Sequence, residues 1–428
     1  MASVASALFS KLWHAIGYLD WVLYIVVFIL AARFFWSCWM FWREESYKHC
    51  PAVLPWVFLE IKIPREILQG PKAMEQFFAA LYPLANRPRG PKKNFWDGEI
   101  PRWHVIDIIG KNNEVRFFMR VSSKLSDAVQ GLLYAQYSGI EISEVDDPYP
   151  KVLPPTYKDI QEQGYEMFGN ELYQTAQPAI SFRTFSEFEQ DTGDEKGRII
   201  DPFAVLLELV ANLKEHEMLL VQYVLMPDVH HHWHEAAEHM VEKIRDTTKQ
   251  KGVDKTGKPI IKFRLRTPGE EEVIRRVEEK LERPAFETTL RYMYISPKEI
   301  YNYNIGYRGI QTFFNQFRHD KQVLERNIHV QTKGEWYYFP WIFPNVRLYW
   351  KRHAFYDEFF NRFLPEERFA GKLYYSYFWV WCFWHRPMPL SSEELATLFH
   401  IPTNVVLTQA AMERIESKRL SPPSNLPG

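Results

Sequence analysis

Three stretches carry side chains whose types and spacing could do chemistry. His230–His239, HHHWHEAAEH, puts five histidines in ten residues. On a helix, His230 and His234 share a face and could chelate a divalent ion, with Glu238 as a third ligand. That is the basis for an alternative reading as a metal-dependent hydrolase or nuclease. The zincin pattern H-E-x-x-H is not met, because the histidine after His234-Glu235 arrives at His239, one position late. A solvent-facing helix start is the plainer reading. Gly252-Val253-Asp254-Lys255-Thr256-Gly257-Lys258 fills seven positions of the phosphate loop G-x-x-x-x-G-K-[ST]. The eighth is Pro259, so the Mg²⁺-binding hydroxyl is missing, and no apolar strand leads into the loop. Arg87, Arg89, Lys92, Lys93 and Arg102 form a basic run suited to phosphates of DNA or of lipid headgroups. No nucleophile–base–orienter set or pair of carboxylates stands out by spacing, so no catalytic residue and no cofactor is expected.

The element that must position everything else is Trp21–Trp42, WVLYIVVFILAARFFWSCWMFW. As a helix these residues rise roughly 33 Å, enough to cross a hydrocarbon core of about 30 Å. Arg33 is the one charge inside, and its insertion cost of about 2.5–3.5 kcal/mol is offset by the apolar run. Trp21 at one end and Trp36, Trp39 and Trp42 at the other suit the headgroup level. A cleaved leader is disfavoured by the length of the run and its weakly basic start. The expectation is a single-pass anchor in the cell membrane, with Arg43 and Lys48 favouring a cytoplasmic bulk.

Beyond residue 45 the chain reads as globular. It has 428 residues, 46% hydrophobic and 25% charged, with a formal net charge of −1, which argues against coating nucleic acid through an overall field. Cys38, Cys50 and Cys382 suggest neither a disulfide framework nor a thiolate metal site.

Residues 46–150 read as β-α-β-β-α-β. The expected strands are Val57–Ile63, Trp103–Ile109, Val115–Val121 and Ile140–Val145. The expected helices carry Met74, Phe77, Phe78 and Leu81, and then Leu125–Tyr137. Gly110-Lys111-Asn112-Asn113, between the second and third strands, is a hairpin signal. This is the order of a ferredoxin-like sandwich with its helices on one face. After a Pro-rich joint at 148–155 the pattern recurs over residues 151–330. Strands are expected at Ala179–Arg183, Met218–Met226, Ile260–Leu265 and Phe286–Ile295, with a helical insertion from Trp233 and a mobile polar loop at 249–259. Asp201-Pro202 and Thr267-Pro268-Gly269-Glu270 supply helix starts. The predicted fold class is therefore α+β: a transmembrane helix over residues 1–45, two tandem ferredoxin-like modules, and an extension over residues 331–428.

That extension is rich in aromatics, with 22 Phe, Tyr or Trp among the 53 residues from Trp336 to Met388. Such density predicts a partner interface, for which Trp336, Trp341, Trp350, Trp379, Trp381 and Trp384 are the candidates. The tail, Leu390–Gly428, is read as a docking tail: it starts with Ser391 and Ser392 as candidate N-caps for a short helix over Glu393–Phe399 and ends in the linker-like SPPSNLPG.

Leu59–Tyr82, Leu132–Asp147, Asp201–Pro227 and Leu390–Pro427 resemble the N-terminal, non-ATPase region of conjugation and type IV secretion motor proteins. These belong to the HerA/FtsK-like ATPases as found in candidate-phylum bacteria. In fused members the segment matching PPSNLP precedes a P-loop domain, so the chain is similar to a split member. The resemblance implies a non-catalytic scaffold that docks a separate P-loop ATPase and other secretion-machine subunits at the membrane lipid, with homo-oligomers in reach and DNA contacted indirectly. A membrane-surface DNA-binding protein using the basic run is a further alternative.

Overall fold

The computed structural model describes residues 2–48, 55–64, 69–86, 90–137, 139–191, 201–229, 233–247, 249–253, 259–263, 266–319, 322–333, 341–365 and 383–402. A long helix, α1 (Ala2–Lys48), leads into β1 (Trp56–Lys62), α2 (Pro71–Leu81) and a π-helical turn over Lys92–Asp97. There follow β2 (His104–Lys111), β3 (Glu114–Ser122), α3 (Ser126–Gln136) and β4 (Glu141–Val145). Next come the short helices α4 (Tyr149–Val152) and α5 (Tyr157–Glu162), then β5 (Tyr165–Gln174), α6 (Phe185–Asp191), α7 (Ala204–Ala211) and β6 (Met218–Pro227). The helix α8 (His234–Thr247), the hairpin of β7 (Lys249–Val253) and β8 (Pro259–Phe263), and α9 (Pro268–Glu282) intervene before β9 (Ala285–Pro297). The chain then adds α10 (Ile310–Asn315), β10 (Leu324–Arg326), α11 (Pro344–Phe360), β11 (Met388–Ser391) and α12 (Ser392–Leu398).

Local chemistry explains many of these boundaries. Pro71 opens α2, where its missing N–H costs nothing. Asn112 and Asn113 both take positive φ, 52° and 62°, as a two-residue type I′ turn between β2 and β3 demands. Thr267 and Glu270 close a reciprocal capping box on α9. Phe203 donates its N–H to Asp201 Oδ1 at 2.8 Å just ahead of α7.

The strands form one large antiparallel sheet in the order β10-β5-β9-β6-β2-β3-β1-β4, with β11 on β9 beside β5. The two halves are therefore not set apart but share one continuous sheet, because β2 pairs with β6 along its length, from His104↔Leu225 to Lys111↔Met218. The reason lies in the strands. HVIDIIG and MLLVQYVLM are apolar on both faces, so neither can serve as a solvent-facing edge. Within each half the four long-range strands lie in the order fourth, first, third, second, and the two second strands abut at the seam.

Helices on one face only is also corrected. One face is covered by α2, α3, α7, α10 and α12, through Phe77, Phe78, Leu133, Leu206, Phe313 and Leu395. The opposite face is covered by α5 and α11, through Ile160, Phe355, Tyr356 and Phe359 against Phe118, Leu220 and Met293. Two assigned strands change as well. Ala179–Arg183 is irregular, its backbone held by Ile180 N–H to Gln177 O and Arg183 N–H to Phe317 O, while β5, not expected, takes its place in the sheet. Ile260 onward pairs with Lys249–Val253 in the separate hairpin, so part of the expected mobile loop is ladder, with residues 254–258 outside the described range.

Candidate functional site

Two buried polar clusters lie on the α11 side of the sheet. In the first, Asp107 of β2 accepts from Tyr149 Oη at 2.7 Å and from Arg362 Nε at 2.6 Å. Gln222 of β6 donates to Asp107 Oδ1, Tyr149 Oη and Phe359 O. Arg362 grips Asp147 with both terminal nitrogens, at 3.0 and 2.8 Å, and stacks its guanidinium 3.8 Å from the Tyr149 ring. A positive φ of 53° at Arg362, just past the end of α11, turns the backbone there. Burial works against the Arg362 charge, yet Asp107, Tyr149 and Asp147 hold it on, above the ordinary arginine value.

In the second cluster His385 sits between two carboxylates, Nδ1 at 2.6 Å from Glu171 and Nε2 at 3.2 Å from Glu358. Burial alone would lower the imidazole's pKa, but Glu358 and Glu171 outweigh it and raise it to about 9. Glu171, fully buried on β5, pays the same desolvation and is nonetheless held below the usual carboxylate range by His385, Arg291 and the Arg386 N–H. Asn327 Nδ2 completes the group with donations to Glu171 and to Trp384 O. The proton on His385 is thus fixed between two acids at neutral pH.

On the other face the segment from Met388 to Pro402 is tied down in the same way. Lys280 Nζ lies 2.9 Å from Glu394, both fully buried, and Arg283 bridges Glu75 of α2 and Glu393 of α12 at 3.2 and 2.6 Å. His400 Nε2 meets Asp201 at 2.9 Å. With Leu390, Leu395, Leu398 and Ile401 buried, each contributing about 1.5–3 kcal/mol, this stretch is core. Of the expected docking tail, the described residues to Pro402 belong to the fold, and residues 403–428 lie outside the described range.

The residues singled out from sequence are scattered. His230 lies outside the described residues. His234 packs edge-on against the buried Trp233 ring at 4.5 Å, and Glu238 lines an open cleft of about 1330 Å³ with Trp233, Glu235, Glu242, Glu270 and Glu287. Among the described residues no three His, Cys, Asp or Glu side chains stand where they could hold a metal ion. Of the basic run, Arg87 and Arg89 are outside the described range. Lys92 and Lys93 are exposed on the π-helical turn, and Arg102 is half-buried beside His104. His104 is wholly buried and its ring nitrogens have no hydrogen-bond partner among the described residues; burial, helped by Arg102, lowers its pKa to about 4. Of the candidate interface tryptophans, Trp336, Trp379 and Trp381 are outside the described range. Trp341 is exposed and Trp384 partly so, over the His329 ring, whereas Trp350, on α11, is half-buried and packs against the core of that face.

Along α1, Trp21, Arg33 and Trp36 are exposed, and the described residues from Trp21 to Trp36 are exposed except half-buried Ala31. From Ser37 one face becomes covered, with Met40 buried, as the helix meets the π-helical turn. Trp36 lies 5.6 Å from Phe95, Trp39 lies 6.0 Å from Trp96 and 5.5 Å from Trp42, and Trp39 Nε1 donates to Phe95 O at 3.4 Å. Gly98, at φ 64°, lets the helix backbone pass: a Cβ there would stand 2.6 Å from the Arg43 carbonyl carbon. The helix is long and apolar enough to cross a membrane.

The clusters were hidden from sequence because their members come from β2, β5, β6, α11 and the segments around 147, 327 and 385. The available sign was polar residues, Asp107, Glu171 and Gln222, inside otherwise apolar strands. Compared with protein-family models, and with curated proteins, the chain has no match.

Proposed function

We propose that this chain is a membrane-anchored, non-catalytic scaffold of a type IV secretion-like or DNA-translocating machine, docking a separate P-loop ATPase of the HerA/FtsK type. The observation that carries the reading is the exposed apolar run Trp21–Trp36, which continues as one helix into a face packed on the sheet domain. A helix continued in this way couples the orientation of the folded bulk to the bilayer. The assignment to secretion rests on the four stretches resembling the motor-protein N-terminal region. In this fold they supply β1, α2, β4, α7, β6 and α12, the framework of the sheet. On this reading the bulk faces the cytoplasm and DNA is contacted indirectly. Each half is also read as ferredoxin-like, supported by its strand order.

The expected result is that the full-length chain stays with membranes after a high-pH wash. A tagged copy extracted in detergent should then retain a P-loop ATPase. Recovery of intact chain in the aqueous fraction overturns the anchor, and a detergent pull-down lacking any such ATPase overturns the docking role.

A further inference from the structure

From the packing of α1 on the Pro91–Gly98 turn, we infer that this turn is a second membrane-contact element, which lies in the headgroup layer of an anionic bilayer and sets where α1 leaves the lipid. The inference rests on the membrane-anchor reading. Phe95 and Trp96 are exposed aromatics, 42% and 64%, on a folded part of the chain, and they lie against Trp36 and Trp39 rather than in any core. They join Trp42 in one aromatic patch, the composition that favours the membrane–water interface. Cations flank the patch, with Lys93 also 3.4 Å from Glu99 and Asp97 exposed on the same turn. Lys92 and Lys93 are exposed on the same turn, and the Arg43 guanidinium lies 5.9 and 5.5 Å from the Trp39 and Trp42 rings. Each lysine or arginine near an anionic leaflet contributes attraction to its phosphates.

The change in burial along α1 supports the same level independently. The stretch exposed on every side ends at Trp36, and from Ser37 one face is covered by protein while Trp39 and Trp42 stay exposed. Counting back about 20 residues at roughly 1.5 Å each fills a core of about 30 Å between Gly17 and Trp36. This frame sits further toward the N-terminus than Trp21–Trp42, and it brings Arg33 to within about 5 Å of the boundary, where its side chain reaches the phosphates. The turn explains why residues 37–42, though apolar, need not lie in hydrocarbon.

The test uses the full-length chain with Cys38, Cys50 and Cys382 replaced by serine, in vesicles of phosphatidylcholine and phosphatidylglycerol. A fluorophore sensitive to quenching is placed singly at Trp96→Cys, Leu30→Cys or Glu114→Cys. Glu114 is the exposed first residue of β3, paired with Lys111 at the far end of β2, roughly 24 Å of strand from His104. Spin-labelled lipids at shallow and deep positions should quench Leu30 most strongly from the deep label. Trp96 should be quenched at least about threefold more than Glu114 from the shallow one. Lys92→Glu with Lys93→Glu should cut the shallow quenching at Trp96 by about half or more, as should omission of phosphatidylglycerol. Quenching at Leu30 with Trp96 no different from Glu114 overturns the inference and leaves the anchor standing. No quenching at Leu30 overturns both. Shallow quenching at Trp96 that ignores charge and lipid composition overturns the anionic-headgroup assignment.

Discussion

Arg362 shows how single residues hold distant segments of this chain together. Its guanidinium, 2% exposed, pairs with Asp107 of β2 and Asp147 beyond β4, so it fixes the end of α11 to the first half of the sheet. Arg362→Met removes one partner of a buried pair and leaves Asp107 uncompensated, which should cost on the order of 3–5 kcal/mol of stability by denaturant titration. The double variant with Asp107→Asn should recover part of that loss. His385 makes a pH-dependent contribution of defined sign. Its folded pKa of about 9 lies above the free value of 6.5, so the stabilisation is complete below pH 6.5 and is lost as pH rises through 9. The stability difference between the natural chain and His385→Asn should shrink across that window by on the order of 3 kcal/mol, while a flat difference would show that the proton is not held as described. Burial of Lys351, which lowers its pKa to about 7, has the opposite sign, so the difference between the two proteins is the readout rather than either raw profile.

At the scale of elements, capping and turn residues were legible and burial was not. Thr267, Pro71 and the Asn112-Asn113 pair mark their boundaries where the chain has them, because those signals act through the adjacent backbone alone. Ser391 was likewise readable as a cap, yet nothing local announced that α12 would be buried against α2, since that depends on Glu75, Lys280 and Arg283 elsewhere in the chain. Strand β5 escaped for a related reason. Gly169, Asn170 and Glu171 interrupt its apolar pattern, and each is explained only by a tertiary neighbour. At Gly169 a Cβ would overlap the Phe355 ring of α11. Gly169→Ala should therefore destabilise by about 1–3 kcal/mol through forced repacking. Gly131→Ala in α3, where nothing stands within 4 Å, should be neutral or stabilising by up to about 1 kcal/mol. Thermal melts of the two variants side by side check both.

For the whole molecule, the seam between β2 and β6 decides how the halves behave. Eight residue pairs join them, with Gln222 and Asp107 hydrogen-bonded across the ladder. Calorimetry of the full chain in detergent should give a single cooperative transition for the sheet domain; two resolved transitions would mean that the halves melt independently. The union is not legible in the sequence: strands apolar on both faces must be flanked on both sides, but which strand flanks which cannot be read from either alone. The outer margins of the sheet tell the opposite story. At one end β4 is five residues long and presents Glu141 and Glu144 to solvent, and at the other β10 is three residues long. Brief, charged borders refuse a further ribbon. Among the described residues, the two ends of the large sheet therefore give copies of this protein no ready route to growing into fibres rung by rung.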